Sequence, residues 1–116
     1  MLAKAYFESG EVQKATAEIS NYLRANPNDI EAIVLLAKLL MLNQNSISQA
    51  ISMLERLVAK GVQDFDVFKT LANAYYAIDN IKSSLSSIVS ALNIYRYDAE
   101  ALRLYSKLKA ISGEVE

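Results

Sequence analysis

Three segments of the chain repeat one pattern: LAKAY at 2–6, LAKLL at 36–40 and LANAY at 71–75, at offsets of 34 and 35 residues. No other feature restricts the fold as tightly, because a sequence that recurs at a fixed period folds as recurring units. The same two offsets return downstream in reverse order: Ala15, Ala50 and Ser84, then Ile19, Leu54 and Ile88, then Leu23, Val58 and Leu92. The reversal puts the extra residue of the middle unit between Leu40 and Ala50, in the polar stretch NQNSIS. A partial fourth copy, LRLYSKL, places Tyr105 and Ser106 34 residues after Leu71 and Ala72.

Within each unit the apolar residues recur at the helical period. Polar turns split each unit into two helices, at Ser9-Gly10-Glu11, at Asn43 to Ser46 and at Asp79-Asn80. Ser46-Ile47-Ser48-Gln49 matches a capping box, so the second helix of the middle unit is predicted to start there. Asn26-Pro27-Asn28-Asp29 breaks the chain between units: proline cannot continue a helix, and Asn28 or Asp29 can cap the next one. Gly61 closes the following unit in the same way.

These rows resemble the tetratricopeptide repeat, a helix–turn–helix unit. They are Ile33-x-x-Leu36-Ala37-x-x-Leu40 with Ala50-x-x-x-Leu54, and Phe68-x-x-Leu71-Ala72-x-x-Tyr75 with Ser84-x-x-x-Ile88. The first unit contributes Leu2-Ala3-x-x-Tyr6, Ala15-x-x-x-Ile19 and Pro27, and the last contributes Leu102-x-x-Tyr105-Ser106. The departures are Ala or Ser for the family's Gly, Ile, Phe or Leu for its Trp, and a single Pro. The resemblance covers essentially the whole chain and implies an all-α, right-handed α-α superhelix with a concave side. The expected organisation is one array: a truncated first repeat (1–29), a second repeat (30–64), a third (65–98), a capping helix (99–111) and a tail (112–116). Small residues at Ala3, Ala37, Ala72 and Ser106 are expected where paired helices approach closely. Continuing the register backwards from Ile30 reaches position −4, so the chain is expected to be a piece of a longer array.

Composition removes several functions. The chain has no cysteine and no histidine, which excludes disulfides and thiolate metal sites and removes the commonest general base and metal ligand. Its acids are scattered, and its glycines lie at turns or ends, so neither a metal site nor a phosphate-cradling loop is expected. Ser83-Ser84 and Ser86-Ser87 form a serine cluster without a histidine or a glycine-turn elbow; Ser84 reads as a small packing residue and the others as solvated. The expectation is therefore no enzyme, no cofactor and no metal. A formal net charge of −1 and a pI of about 5.5 argue against a nucleic-acid partner. They also weigh against the RNA-reading pentatricopeptide type, another helical-hairpin array.

The most apolar stretch, EAIVLLAKLLML, is 12 residues long and contains Glu31 and Lys38, whereas a membrane span needs about 20 apolar residues. The N-terminus lacks the basic and apolar regions of a signal peptide. No membrane insertion is expected, which favours the cytoplasm. By repeat register, Ile33, Leu36, Ala37 and Leu40 face inward, leaving Val34, Leu35, Lys38 and Met41 for another face.

The resemblance implies that the first helix of each unit lines a concave groove where family members bind peptides. Four rows then fall in the groove. They are Lys4, Lys38, Asn73 and Lys107; Val34, Lys69 and Arg103; Leu35, Thr70 and Leu104; and Phe7, Met41 and Tyr76. The summed face is apolar at its middle and basic around it, which points to an acidic or amphipathic peptide as partner. Val34, Leu35, Met41 and Tyr76 would supply apolar anchors, and Lys38, Lys69 and Arg103 would meet carboxylates. Glu31, Asp66 and Glu100 form a further row in the first turns, where acids complement the helix dipole. Family members that grip the C-terminal carboxylate of heat-shock chaperones carry a Lys/Asn/Asn/Lys/Arg clamp. Here Leu35 stands where an Asn is needed, Asp66 and Thr70 where the Lys and Arg belong, and Lys4 replaces the first Asn. The expected partner is thus a protein or peptide other than a chaperone tail, with self-association as the alternative.

Overall fold

Three aspartates at one repeat position start three helices. Asp29, Asp64 and Asp98 each accept a hydrogen bond from the backbone N–H three residues on, Ala32 at 3.1 Å, Val67 at 3.0 Å and Ala101 at 2.9 Å. Each bond satisfies a donor that the first turn leaves without a helical partner. The computed structural model describes residues 11–113. They hold six α-helices: α1 (Val12–Ala25), α2 (Ile30–Leu40), α3 (Ile47–Ala59), α4 (Phe65–Ala77), α5 (Ile81–Ile94) and α6 (Ala99–Gly113). No strand occurs among the described residues, and the fold is all-α as the repeat pattern predicts. A 3-10 turn, Gln44–Ser46, occupies the loop to which the offsets assign the extra residue. α6 runs to Gly113, past the expected end at Ile111.

Two helix ends share one device. After α3, Gly61 has φ +91°, its N–H donates to the Val58 carbonyl at 2.9 Å, and Val62 N–H donates to that of Leu57 at 3.1 Å. This pair of bonds, around a left-handed residue, is the Schellman closure. After α4 the left-handed residue is Asp79 (φ 64°). Asp79 N–H donates to Tyr76 at 3.0 Å and Asn80 N–H to Tyr75 at 2.9 Å. The Asn80 side chain then accepts from Ser83 N–H at 3.2 Å, so one residue closes α4 and caps α5.

The chain divides into two compact units, one ending at Leu54 and the other beginning at Glu55. In the first, Ala15 and Ile19 of α1 pack with Ala32 and Leu39 of α2, flanked by Tyr22, Leu23, Leu35 and Leu36. Ala32 and Leu39 lie seven residues apart, two helical turns, and so share a face; Val34 and Ala37, also buried, lie on the opposite one. α2 is therefore buried on two sides, which explains why its sequence is apolar nearly all round. In the second unit, Phe68 and Ala72 of α4, Ile88 and Ala91 of α5, and Ala101, Leu104 and Leu108 of α6 form the core. Ala15, Ala50 and Ser84, like Ile19, Leu54 and Ile88, have no exposed surface at all. Ser106 departs from its row: it is exposed, whereas Ala37 and Ala72 are fully buried.

Candidate functional site

Six of the residues expected in the groove, Lys69, Asn73, Tyr76, Arg103, Leu104 and Lys107, line one cleft of about 580 Å³ in the second unit. Lys69, Asn73 and Tyr76 recur on one face of α4, and Arg103 and Lys107 face them from α6, together with Glu100, Leu102, Leu104 and Ser106. The spacing of three and four residues along each helix places these side chains in register one turn apart.

The charges in this cleft are not equivalent. Lys69 Nζ lies 2.9 Å from Asp98 Oδ2 and 2.8 Å from Glu100 Oε1. It also stands 5.7 Å from the centre of the Phe65 ring. Burial pushes the Lys69 ammonium down, but hydrogen bonds to Glu100 and Asp98 outweigh it and hold the group above its ordinary value. The Lys69 hydrogen bond in turn holds both carboxyls below the usual carboxylate range, with the Ala101 N–H adding to the effect at Asp98. Lys69 therefore ties α4 to the start of α6 through two ion pairs. Lys107 differs. Its Nζ sits 5.5 Å over the Tyr76 ring, and no carboxylate among the described residues lies within ion-pair distance of it or of Arg103. The cleft thus offers two cations, the Asn73 amide, the face of Tyr76 and the apolar side chain of Leu102, which is 43% exposed. Such a set can hold a carboxylate, orient it by a hydrogen bond and cover an adjacent apolar side chain.

In the first unit Lys38 is exposed and Met41 half-buried. Val34 is 5% exposed, so it is not an open anchor. Leu35 packs against the Ala15–Ile19–Ala32–Leu39 core. Both placements have one cause: the repeat register assigns a single inward face to a helix that is buried on two. Thr70 and Leu104, from the same row as Leu35, are likewise buried, at 3% and 9% exposure. Lys4 and Phe7 lie outside the described residues. Asp98, Glu100, Leu102 and Ser106 belong to the site but not to the rows that the repeat register places in the groove. Glu100 does occupy the first turn of its helix, as the dipole argument has it, but it also reaches Lys69 on α4. The signal was an acidic first turn one repeat after a lysine, which becomes an ion pair only when the two helices are adjacent. Ser84 is buried and donates to the Ala72 carbonyl at 2.7 Å, which is the packing role its row predicts. Among the described residues no acidic cluster gathers as a metal site, and no helix is long and apolar enough to cross a membrane.

No family model matches the sequence. No curated protein matches it significantly either. Solved structures do. The first TPR domain of Spaghetti (RPAP3) bound to the HSP90 peptide SRMEEVD superposes with a TM-score of 0.86 at 15% identity, over 96% of this chain and 87% of that one. The first TPR domain of human RPAP3 gives 0.86 at 15%, over 97% and 87%. MamA from Desulfovibrio magneticus RS-1 gives 0.80 at 18%, over 96% of this chain and 62% of the MamA chain. The chain thus has the fold of the tetratricopeptide-repeat domains, a helical-repeat architecture.

Proposed function

We propose that this chain is a non-catalytic protein-interaction scaffold, and that its α4–α6 cleft takes an acidic or amphipathic peptide segment of a partner protein. The observation that carries the reading is the open Lys107 ammonium over Tyr76, beside Arg103 and Asn73. A carboxylate placed there gains a charge-assisted hydrogen bond from Lys107, whose ammonium has no ion-pair partner among the described residues. The likeness to a domain bound to an HSP90 peptide supports a peptide as the ligand class. It does not extend to that peptide. Thr70, where the clamp needs an arginine, is buried, and Leu35, where it needs an asparagine, is committed to the core.

Fluorescence anisotropy with a labelled peptide carrying glutamate and leucine on one helical face tests the reading. Anisotropy rises on titration, the affinity falls with added salt, and SRMEEVD competes poorly. Combined Lys107→Glu and Arg103→Glu reversal abolishes binding while circular dichroism stays unchanged. Binding that survives the double reversal sinks the proposal.

A second reading, self-association, is favoured by the exposed apolar residues Leu102 and Ile111 on α6, at 43% and 42% exposure. Light scattering across a concentration range separates the two: a constant mass leaves the peptide receptor, and a rising one favours self-association.

A further inference from the structure

A second cleft, of about 420 Å³, opens on a different face of α4, between the last turns of α3 and the body of α5. Its floor is apolar, made by Val58, Phe68 and Leu71. Its α5 wall is a run of hydroxyls, Ser83, Ser86, Ser87 and Ser90, on successive turns. Glu55 on α3 is its one charged lining residue. Tyr75 Oη donates a hydrogen bond to Glu55 Oε2, and both residues line the cleft. Burial, then that hydrogen bond, push the Tyr75 phenol up to about 12, so it remains a donor across the physiological range. Among the described residues no lysine or arginine forms an ion pair with Glu55.

We propose that this cleft binds an arginine side chain presented by a partner protein. Arginine matches the lining group by group. Its aliphatic stem covers the apolar floor, and its planar guanidinium carries five N–H donors and no acceptor. The cleft offers the complementary set: a carboxylate with lone pairs beyond those used by Tyr75, and serine oxygens that can each accept. A lysine ammonium is a point charge that cannot span carboxylate and hydroxyls together, and an acidic side chain would be repelled by Glu55. The cation also finds no internal competitor, unlike the Lys69 position on the other face. The site is chemically opposite to the α4–α6 cleft.

The test is an NMR titration of the whole chain with the capped tripeptide Ala-Arg-Ala and its citrulline isostere, which has the same shape and no charge. The arginine peptide gives saturable shifts at the backbone amides of Glu55, Ser86 and Ser87. Citrulline binds more weakly, because it loses the charge-assisted pair with Glu55. Glu55→Gln produces the same loss, whereas Tyr75→Phe, which keeps the carboxylate, retains binding. Lys107→Glu leaves this titration unchanged, so it is read independently of the acidic-peptide reading. Equal binding by citrulline, full binding by Glu55→Gln, or shifts that fail to saturate or map elsewhere overturns the proposal.

Discussion

Ser84 donates its hydroxyl to the backbone carbonyl of Ala72 at 2.7 Å, with both residues wholly buried where α4 meets α5. The other units hold alanine at the position of Ser84, so the site is sized for a small side chain. Ser84→Ala should cost about 0.5–1.5 kcal/mol, the net worth of one hydrogen bond whose acceptor also lies within a helix. Ser84→Leu should cost about 1–3 kcal/mol or more, because it forces the helices apart. Urea unfolding of both variants checks the order, which reverses if the hydrogen bond outweighs packing.

Lys69 gives the stability a pH signature. Its bonds hold the Asp98 and Glu100 carboxyls below their ordinary values of 3.8 and 4.5. Groups depressed in the folded state stabilise it above those ordinary values, and the contribution is lost as pH falls through the lower folded ones. The Lys69 ammonium is raised above 10.5, so its own contribution is present below that value and fades as pH rises past it. Lys69→Met should lower the urea midpoint at neutral pH and flatten the acid arm of the profile. A variant whose acid arm matches the parent would show that the ion pairs contribute nothing.

Asp79 is a non-glycine residue in the left-handed region, at φ 64°. Asp79→Gly removes the Cβ penalty and keeps both closing bonds, so it should stabilise the chain by about 0.5–1 kcal/mol. Gly61→Ala, at φ +91°, should destabilise it, even though an added Cβ would meet no neighbour within 4 Å. The cost there is conformational and not a clash. Thermal melts of the pair should move in opposite directions.

Tyr75 should stand apart in an ultraviolet titration of the phenols, ionising near 12. Burial is the larger cause, so Glu55→Gln should bring it only part of the way back to the ordinary 10.0. A phenol raised in the folded state stabilises fully below its unfolded value, and that stability is lost as pH climbs from 10 towards 12. Between pH 10 and 12 the stability of Tyr75→Phe should therefore fall less steeply than that of the parent, as urea midpoints across that range would show.

The repeat arithmetic reads the core well because equivalent positions meet equivalent partners. Ala15, Ala50 and Ser84 are buried without remainder, and Asp29, one of the two residues proposed as a cap, does cap α2. Half of the cleft was legible on the same grounds: Lys69, Asn73, Tyr76, Arg103 and Lys107 do line one space. The failures lie where a second neighbour matters. The row of Val34 reads as open against one packing face, and α2 has two. The charge of Lys69 looked available because Glu100 stands 31 residues away in sequence and 2.8 Å away in space. The Glu55–Tyr75 cleft escaped notice because its polar wall is serine, which in a helix reads as solvated surface until an opposite wall is known.

The two turns at the end of α2 and of α4 differ in slack. Between α4 and α5 every residue is committed: Ile78 ends one helix, Asp79 takes the left-handed conformation, and Asn80 both closes and caps. Between α2 and α3 the chain passes through Met41–Asn43 and a 3-10 turn, and the extra residue of the middle unit already sits there. Length can therefore vary at Gln44–Ser46 without disturbing a cap that two helices share. That loop is the place to graft an epitope or a fluorophore-bearing insert, and Ile78–Asn80 is a place to leave alone.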